Sequence, residues 1–297
     1  MTWRAIQFFA RHGRSFHFAS RLMSAADRDR VAAVYAYCRH TDDIVDEAGP
    51  VPSEMISRRL DAWHALSRAA YDGYPCGDPI IDRAMSDMRD CAVPFQHASE
   101  LIAGMRMDLT PTEFRDLTSL REYTHRVAGV VGLWLSQLFG VDEPWVLHRA
   151  AQLGHAMQLT NIVRDVGDDL RRGRVYLPVS MMRSYGLTRA DLDTMASGGR
   201  PVSTAYRAVL EALMATADAH YTMAFEAMPF LPSGFRRAVA VAAEVYRGIH
   251  DEVRAADYDT LTRRAVTTLP RKIVLGFRGV RRLTVVPIAR RDLGAVR

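Results

Sequence analysis

Two acidic motifs, each set in an apolar segment of helical periodicity, constrain this chain more than any other feature. The first lies in residues 35 to 47 (YAYCRHTDDIVDE) and the second in residues 158 to 169 (QLTNIVRDVGDD). Side chains three and four positions apart share one face of a helix, so each segment presents a polar stripe that ends in a DxxxD pair. The stripes are Tyr35, Arg39, Asp42 and Asp46 in the first segment, and Gln158, Asn161, Asp165 and Asp169 in the second.

Two carboxylates one helical turn apart repel each other, and on a buried face this repulsion stays uncompensated unless a cation or a basic group lies between them. The first pair also lies near the end of its helix, where the helix dipole disfavours negative charge. The two stripes therefore indicate a metal-filled cavity. Mg²⁺ prefers carboxylate oxygens and substrate phosphate, so we expect Mg²⁺, with Mn²⁺ as the alternative. The expected ligands are Asp42, Asp46, Asn161, Asp165 and Asp169.

The rest of the chain favours an all-α protein, because apolar residues recur at helical spacing and no segment alternates as a strand does. The predicted helices cover residues 27 to 48, 53 to 71, 80 to 92, 95 to 107, 112 to 139, 143 to 170, 203 to 228 and 233 to 255. The sequence has no Gly-rich dinucleotide fingerprint and no P-loop. A di-iron bundle is disfavoured, because the chain offers one Glu-x-x-His pair, Glu122 with His125, where two are needed.

Composition excludes several other classes. An apolar content of 48% and a charged content of 25% are typical of a soluble globular protein, and 297 residues suit one domain or two. Three cysteines without metal-ligand spacing argue against a disulfide framework and a zinc site. We recognise neither a signal peptide nor an apolar stretch of the roughly 20 residues that a membrane span needs. We therefore expect a reducing, cytoplasmic compartment.

Basic residues concentrate at the C-terminal end. Residues 263 to 297 hold ten basic residues and one acid, whereas the whole chain has a net charge of +5. A basic segment with interleaved apolar residues suits an anionic membrane surface or a phosphate-bearing substrate, and an ordinary solvated end is the alternative. Only Lys272 among the 39 basic residues is a lysine, so a single arginine is weak evidence for phosphate binding.

Three shorter segments each allow two interpretations. Ser15, in the cluster Gly-Arg-Ser-Phe, is a phosphate ligand or, as its spacing favours, a helix cap. The small residues at 127 to 132, followed by Ser136, pack a core or line an apolar tunnel. Residues 171 to 174 (Arg-Arg-Gly-Arg) form an ordinary basic loop or a mobile flap over bound phosphate.

A metal site beside an apolar helical interior suits the ionisation of an allylic diphosphate. Metals stabilise the departing diphosphate, and dry aromatic walls shelter the carbocation from water. Two acidic motifs would serve two diphosphates. A Ser-His-Asp nucleophilic mechanism has no comparable support in the sequence.

Four strings, YAYCRHTDDIVDE, YTHRVAGVVG, QLTNIVRDVGDDLRRGRVYLP and YRGIHDEVRAADYDTLTRRA, occur in this order and separation. Together they resemble the squalene/phytoene synthase family, and most closely its bacterial phytoene synthases. The similarity runs from about Ser15 to Lys272. It implies an all-α, isoprenoid-synthase-type helical bundle around a central cavity, formed by a single domain over residues 1 to 297 with residues 263 to 297 as its basic tail.

The resemblance also implies a prenyltransferase of carotenoid biosynthesis that condenses two prenyl diphosphates head to head with Mg²⁺. In that family one substrate ionises, the double bond of the other attacks the cation, and a cyclopropylcarbinyl diphosphate forms. A second ionisation, rearrangement and proton loss then yield phytoene. We expect two geranylgeranyl diphosphates as substrates, no nicotinamide, no nucleic acid, and a cytoplasmic protein that also contacts the inner face of the membrane peripherally.

Matching the motifs residue by residue carries the family's functional positions onto this chain. The first set of metal ligands matches Asp42 and Asp46, and the second matches Asn161, Asp165 and Asp169. The four aspartates, together with Arg39 and Tyr35, are the expected catalytic residues. Positions that contact diphosphate in the family match Arg39, Arg164 and Ser15, and cavity-lining positions match Tyr35, Gln158 and Tyr246. His125 stands where many relatives have a tyrosine before the VAG string, so the role of this position stays open.

Two alternatives to the condensation of geranylgeranyl diphosphate remain. A C30 enzyme would use farnesyl diphosphate to make dehydrosqualene, presqualene diphosphate or squalene. A non-catalytic helical protein that binds lipid diphosphates is a more remote alternative, because both DxxxD motifs are complete. Chain length depends on the floor of the tunnel, for which the candidates, equally suited to a core, are Trp134, Phe139, Met105 and Met157.

Overall fold

A computed structural model of the protein describes residues 2–49, 51–110 and 113–285. The helices are α1 (Thr2–His12), α2 (Arg14–Ser20), α3 (Ala25–Asp46), α4 (Ser53–Tyr71), α5 (Pro79–Asp90), α6 (Gln96–Met107), α7 (Leu117–Thr124), α8 (Val130–Leu138), α9 (Pro144–Arg164), α10 (Val166–Arg171), α11 (Val179–Ser184), α12 (Arg189–Ala196), α13 (Thr204–Ala227), α14 (Ser233–Arg247), α15 (Ile249–Ala255) and α16 (Leu269–Val285). His125–Gly129 forms a π-helical turn and Met228–Phe230 a 3-10 turn. Over these ranges the only strand-type pairing is a bridge between Glu113 and Val175. The predicted all-α class is confirmed.

Local sequence signals account for the helix starts that matter most to the site. The Ser24 hydroxyl accepts a hydrogen bond from the Asp27 amide at the start of α3. Asp116 and Ser119 form a reciprocal capping box at the start of α7. Such caps satisfy amides that a helix leaves unpaired and contribute about 1 kcal/mol each. Because of its cap, α7 begins at Leu117, five residues later than the sequence predicted.

Two clusters of buried apolar side chains hold the bundle together. The larger cluster joins α9, α13 and α14, and the smaller one joins α3 to α6 with α8. Trp134 lies fully buried at the centre of the smaller cluster, with its ring edge-on to Tyr37 at 5.4 Å. Large buried aromatic rings dominate the energetics of such a core. The helices around the cavity are therefore held by two separate sets of apolar contacts.

Three of the four residues considered for the tunnel floor lie elsewhere. Trp134 and Met105 belong to the smaller core, and Phe139 stacks on Phe235 with ring centroids 4.2 Å apart. Met157 does line the cavity. The core alternative therefore holds for these three, because helical periodicity shows that a side chain is buried but does not distinguish a core from a cavity wall.

The small residues of the VAGVVG string allow α8 and the π-helical turn to lie directly against α9. A Cβ atom on Gly154 would lie 2.3 Å from the carbonyl oxygen of Ala128. A Cβ atom on Gly132 would lie 2.4 Å from the carbonyl oxygen of Ala150. Because neither backbone oxygen can move aside easily, the closeness of these helices requires glycine at both positions. Several other residues of this string line the cavity, which agrees with the tunnel interpretation.

The sequence predicted one continuous helix over residues 143 to 170, and this prediction is wrong because the structure has two helices there. Helix α9 ends at Arg164, Asp165 has φ −108° and ψ 14°, and α10 begins at Val166. The Gly167 amide donates to the carbonyl oxygen of Thr260 at 2.9 Å rather than to the preceding helical turn. The break therefore lies at Asp165, and a tertiary contact follows it two residues later. Sequence periodicity does not reveal a contact of this kind.

The C-terminal part of the chain adds α16, which packs on α14. In the described ranges no helix is both long enough and apolar enough to cross a membrane. The predicted basic tail begins before α16, and its last part, residues 286 to 297, lies outside the described residues.

Candidate active site

An apolar cavity of about 280 Å³ lies between α2, α3, α8, α9 and α14. Most of its lining is aliphatic or aromatic, but one end is polar. Tyr35 from α3, Gln158 and Asn161 from α9, and Tyr246 from α14 line the cavity together. These are four of the residues selected from the sequence, and they come from three helices. An apolar chamber with a few converging polar groups is the usual form of a small-molecule site.

The first acidic motif lies on the last turns of α3. Burial, followed by the negative charge of Asp46, raises the pKa of Asp42 to about 7. The Arg39 guanidinium lies 3.3 Å from the Asp42 carboxylate and also contacts Asp43 and, at 3.7 Å, Glu47. The single guanidinium of Arg39 therefore pairs with three carboxylates, and its positive charge only partly offsets the negative charge at the end of α3.

The second acidic motif lies at the junction of α9 and α10. Burial acts to raise the pKa of Asp165, but hydrogen bonds from Arg164 and Arg264 outweigh it and hold the pKa below its usual range. Arg264 donates to both carboxylate oxygens at 2.7 and 2.9 Å, and Arg164 does so at 2.7 and 2.5 Å. Asp165 is thus held between two bidentate arginines, an arrangement that fixes both partners.

Asp169 lies in a different environment from Asp165. Burial and the charge of Asp165 raise the pKa of Asp169 to about 8, and Asp46 of the first motif adds to the effect. The two acidic motifs, more than 100 residues apart in the chain, therefore lie close enough for Asp46 to influence the pKa of Asp169. No single helix could bring these carboxylates together.

Arginines of the segment after α10 connect the two motifs. Arg174 donates to Asp46 at 2.6 Å, and Arg172 lies 3.4 Å from the other oxygen of the same carboxylate. Asp46 has only 11% of its side chain exposed. Residues 171 to 174, for which the sequence allowed a basic loop or a flap, therefore lie against the first acidic motif.

A further acid, Asp108, lies next to this network and was not selected from the sequence. Its carboxylate accepts hydrogen bonds from Tyr176 at 2.7 Å and Tyr123 at 3.0 Å. Burial raises the pKa of Asp108, whereas the two hydroxyl groups and Arg174 act against the increase. A lone acid beyond a helix end has no spacing signal, so only the structure reveals it. The two tyrosine rings stack with centroids 5.1 Å apart.

The remaining predicted residues take varied positions. Ser15 lies inside the first turn of α2, whose N-cap is Gly13, so the prediction that Ser15 caps a helix is wrong. Tyr246 lies beside Arg164, and its ring packs at a tilt against that of Phe16, with centroids 4.8 Å apart. His125 lies outside the cavity lining and stacks on His155 at 5.7 Å. The histidine at this position therefore belongs to the helix packing behind the cavity.

Two basic side chains near the start of α2, Arg14 and Lys272, have no carboxylate partner among the described ion pairs. Lys272 has 9% of its surface exposed, and burial followed by the charge of Arg14 lowers its pKa. Lys272 is buried and Arg14 is exposed, and two positive charges this close together favour a nearby anion. The sequence marked Lys272 only as the single lysine of the chain.

The donor atoms fit a hard divalent cation, although no three carboxylate, imidazole or thiolate groups of the described residues are already arranged around one point. Arginine side chains neutralise Asp46 and Asp165 instead. The Asn161 Oδ1 atom is buried without a hydrogen-bond partner, while its Nδ2 donates to Gln158. An unpartnered amide oxygen beside carboxylates of raised pKa is the donor set that Mg²⁺ or Mn²⁺ takes.

A helical bundle with an apolar cavity, two opposed acidic motifs and several arginines at one end defines the isoprenoid-synthase class of enzymes. Within that class, the chain belongs to the squalene/phytoene synthase family of prenyltransferases, whose sequence model matches residues 9–271. The family resemblance and the predicted fold are both confirmed. Prenyl transfer in this family generally depends on divalent metal.

Individual relatives agree with this assignment. The chain is 32% identical over 281 residues to the phytoene synthase of Arthrospira platensis, which covers 90% of this chain and 88% of that protein. It is 35% identical over 283 residues to the chloroplastic phytoene synthase 3 of Zea mays, covering 93% of this chain and 64% of that longer protein. Among solved structures, a dehydrosqualene synthase in complex with ligand superposes with a TM-score of 0.85 at 28% identity, over 95% of this chain and 96% of that one.

Proposed function

We propose that this protein condenses two molecules of geranylgeranyl diphosphate head to head, through a cyclopropylcarbinyl diphosphate, to give phytoene. The observation that carries the proposal is the apolar cavity whose polar end meets two acidic motifs and their arginines. Relatives named phytoene synthase, similar over about nine tenths of this chain, support the C20 substrate. We also propose that residues 1 to 297 form one domain.

Divalent metal, Mg²⁺ in this proposal and Mn²⁺ as the alternative, would be held by Asp42, Asp46, Asn161, Asp165 and Asp169. When bound, it supplies positive charge that neutralises diphosphate oxygens and makes diphosphate a better leaving group. The unpartnered Asn161 oxygen and the raised pKa values of Asp42 and Asp169 support this ligand set.

The arginines that now pair with carboxylates have a second role in the proposal. Arg174 and Arg172 contact Asp46, and Arg264 and Arg164 contact Asp165. A guanidinium binds a phosphate with the same two-pronged geometry that it offers a carboxylate. Once the carboxylates have another cation to bind, these arginines are free to turn to the diphosphate, and the segment at 171 to 174 then covers the substrate. Arg39 acts in the same way at the first motif.

The residues that line the cavity act in the next step, the formation of the carbon–carbon bond. After the C1–O bond of one substrate breaks, its allylic cation lies among Tyr35, Phe16 and Tyr246, whose ring faces stabilise positive charge. The double bond of the second substrate then attacks C1, and loss of a proton from C1 closes the cyclopropane ring and removes the positive charge. The apolar lining excludes the water that would otherwise trap the cation. Gln158 holds the polar end in place through its bond to Asn161.

The second diphosphate has its own candidate contacts. Lys272, which is buried, and Arg14, which is exposed, have no carboxylate partner among the described ion pairs, and Ser15 is next to Arg14 in the first turn of α2. Charge complementarity supports binding of a diphosphate here. No nicotinamide is needed for the reaction as proposed, and no nucleic acid is expected as a partner.

A C30 enzyme that joins two farnesyl diphosphates is the second candidate, and the high structural similarity to a dehydrosqualene synthase favours it. The two candidates share the fold, the site and the chemistry, and differ in the length of the prenyl chain. A non-catalytic role in binding lipid diphosphates is less well supported, because both DxxxD motifs are complete.

Product identification separates these candidates. Purified protein receives geranylgeranyl or farnesyl diphosphate with Mg²⁺, each with and without NADPH, and hydrocarbon products are analysed by mass spectrometry. The proposal expects a C40 hydrocarbon without NADPH, and no product once EDTA has removed the metal. A C30 product alone would transfer the assignment to the second candidate, and absence of product from either substrate would contradict enzymatic activity.

We also propose that the protein contacts an anionic membrane peripherally through α16. Its exposed apolar side chains, with their exposed fractions, are Leu269 (62%), Ile273 (45%), Val274 (59%) and Phe277 (75%). Arginines of the same helix would contact lipid phosphate. Flotation with anionic and neutral liposomes tests this, because Phe277→Ser should reduce recovery on anionic liposomes whereas Tyr74→Ser, an equally exposed aromatic position elsewhere, should not. Equal recovery on both lipids would contradict the proposal.

A further inference from the structure

Asp108 connects the end of α6 with two tyrosines from other parts of the chain. The residue directly follows α6, and its Oδ1 atom accepts a hydrogen bond from the Tyr176 hydroxyl at 2.7 Å. Its Oδ2 atom accepts a hydrogen bond from the Tyr123 hydroxyl at 3.0 Å. Burial raises the pKa of Asp108, but these hydroxyl donors act against the increase and favour the ionised form. Both carboxylate oxygens therefore already have a hydroxyl donor.

The two tyrosine rings belong to a buried aromatic cluster. Tyr123 and Tyr176 stack with centroids 5.1 Å apart, and Phe114 packs against them at 5.2 and 5.8 Å. The three residues have only 2% to 8% of their surface exposed. Rings packed in this way have little freedom to turn, so their hydroxyl groups keep a fixed direction. The carboxylate that accepts from both hydroxyl groups is therefore held in one place.

The backbone around Arg174 is also held. The Arg174 amide donates to the carbonyl oxygen of Asp169 at 2.9 Å, and Val175 forms the parallel bridge with Glu113. Side chains on either side of an extended residue project to the same side of the chain, which places Arg174 and Tyr176 together. Arg174 can therefore exchange its contacts by rotation of its own side chain, without movement of the whole segment.

Arg174 lies between two carboxylates with different surroundings. Its guanidinium donates to Asp46 at 2.6 Å. After burial and the Tyr176 hydroxyl, the charge of Arg174 is the next influence on the pKa of Asp108, so the guanidinium also acts on this second carboxylate. Asp46 is an expected metal ligand, whereas Asp108 is engaged by tyrosines. A divalent cation at Asp46 would therefore remove one partner of Arg174 and leave the other.

We propose that Asp108 is a positioning residue for Arg174. When a divalent cation binds Asp46, the negative charge of Asp108 keeps the guanidinium beside the acidic motifs, where it binds an oxygen of the substrate diphosphate. A guanidinium has five N–H donors and can contact a carboxylate and a phosphate oxygen together. Without this charge, the released side chain would gain rotamer freedom and leave the site. The inference rests on the proposed function for the identity of the ligand, but it concerns a residue outside the proposed metal ligands.

A double-mutant cycle on diphosphate binding tests this role, because it separates action through Arg174 from a general structural effect. The full-length protein, in saturating Mg²⁺, is titrated with inorganic diphosphate in a calorimeter. Arg174→Gln should raise Kd at least about tenfold, since it removes a charged hydrogen bond. Asp108→Asn, which keeps the shape of the side chain, should raise Kd at least about threefold. In the Arg174→Gln background, Asp108→Asn should change Kd less than about 1.5-fold, because no guanidinium remains to be positioned.

Two further variants complete the design. Tyr176→Phe keeps the ring stack and removes one hydroxyl donor, so it should raise Kd in the same direction as Asp108→Asn. Glu211→Gln is the matched control, because Glu211 also accepts hydrogen bonds from a tyrosine and an arginine, Tyr258 and Arg254, but does not line the cavity. Its Kd should equal that of the wild type.

Two results would overturn the assignment of Asp108. One is an equal effect of Asp108→Asn with and without Arg174, which is the signature of a structural role, and the other is an unchanged Kd in Asp108→Asn alone. Wild-type protein that does not bind diphosphate would overturn this assignment and the proposed function together. Wild-type protein that binds diphosphate but makes no hydrocarbon from either prenyl diphosphate would refute the proposed function, while the cycle would still decide the role of Asp108.

Discussion

Metal binding at the two acidic motifs should release protons, and the raised pKa values of two carboxyl groups set the expected number. Burial and like charge raise the pKa of Asp169 to about 8 and that of Asp42 to about 7. At pH 7 Asp169 is then about nine tenths protonated and Asp42 about half protonated, so binding of a cation that needs both carboxylates releases about 1.4 protons. Asp165 contributes none, because its arginines lower its pKa and it is already ionised.

The sign of the pH dependence follows from the raised pKa values. A folded-state pKa above the unfolded value means that the metal-free protein binds more protons than the unfolded chain. Its stability is therefore highest below about pH 4 for these groups and decreases as the pH rises towards 8. Metal ligation removes this penalty, so the stabilisation by Mg²⁺ or Mn²⁺ should grow over the same range. At pH 9 both carboxyl groups are already ionised, and proton release should fall to about 0.1.

Isothermal titration with Mn²⁺ or Mg²⁺ alone measures this quantity. Metal is added without diphosphate, because diphosphate carries protons of its own, and the experiment is repeated in buffers of different ionisation enthalpy. The slope of observed enthalpy against buffer enthalpy is the number of protons released. Asp169→Asn should reduce the slope at pH 7 to about 0.5, whereas Glu54→Gln at an exposed site should not change it. A slope near zero at pH 7, or an equal slope at pH 9, would refute the electrostatic argument.

Three further predictions concern single positions. Gly167→Ala should lower the free energy of unfolding by at least about 1–3 kcal/mol in chemical denaturation, because its Cβ would lie 2.0 Å from the Leu261 carbonyl oxygen. Gly234→Ala, with no atom within 4 Å, is the matched control, and equal effects would contradict the close approach. Asp165→Asn should lower kcat at least about 100-fold in the product assay. Asp193→Asn, at an exposed position, should leave kcat unchanged. A wild-type kcat in Asp165→Asn would show that Asp165 does not belong to the active site. Arg174→Gln should move the acidic limb of the rate–pH profile to higher pH, since Arg174 lowers the pKa of Asp169, and an unmoved limb would contradict this.

Spacing within single helices was the most informative part of the sequence. The intervals between Tyr35, Arg39, Asp42 and Asp46 place them on the last turns of α3, which forms over nearly the predicted range. The small residues before and within α8 indicated close approach of a neighbouring helix, and Gly154 of α9 occupies that place. Both inferences depend on neighbours three or four residues apart, and helix geometry fixes their relation without knowledge of the fold.

Contacts between distant segments escaped the sequence. Arg174 reaches Asp46 across 128 positions and Arg264 reaches Asp165 across 99. With 38 arginines in the chain, nothing in the local pattern distinguishes these two from arginines on the surface. Asp108 likewise has no neighbour in the sequence that would mark it, and it becomes notable only because two tyrosine hydroxyl groups converge on it.

By itself, the sequence determined the helical class, the family and the two acidic stripes, because each follows from a local repeat or from a string of residues that can be compared directly. The tertiary structure alone decided that Asp165 interrupts a helix, that arginines neutralise Asp46 and Asp165, and that Tyr35, Gln158, Asn161 and Tyr246 line one cavity. The physical reason is the same in each case. Burial, ion pairing and cavity shape depend on which helices pack together, and this packing is a property of the whole chain rather than of any one segment.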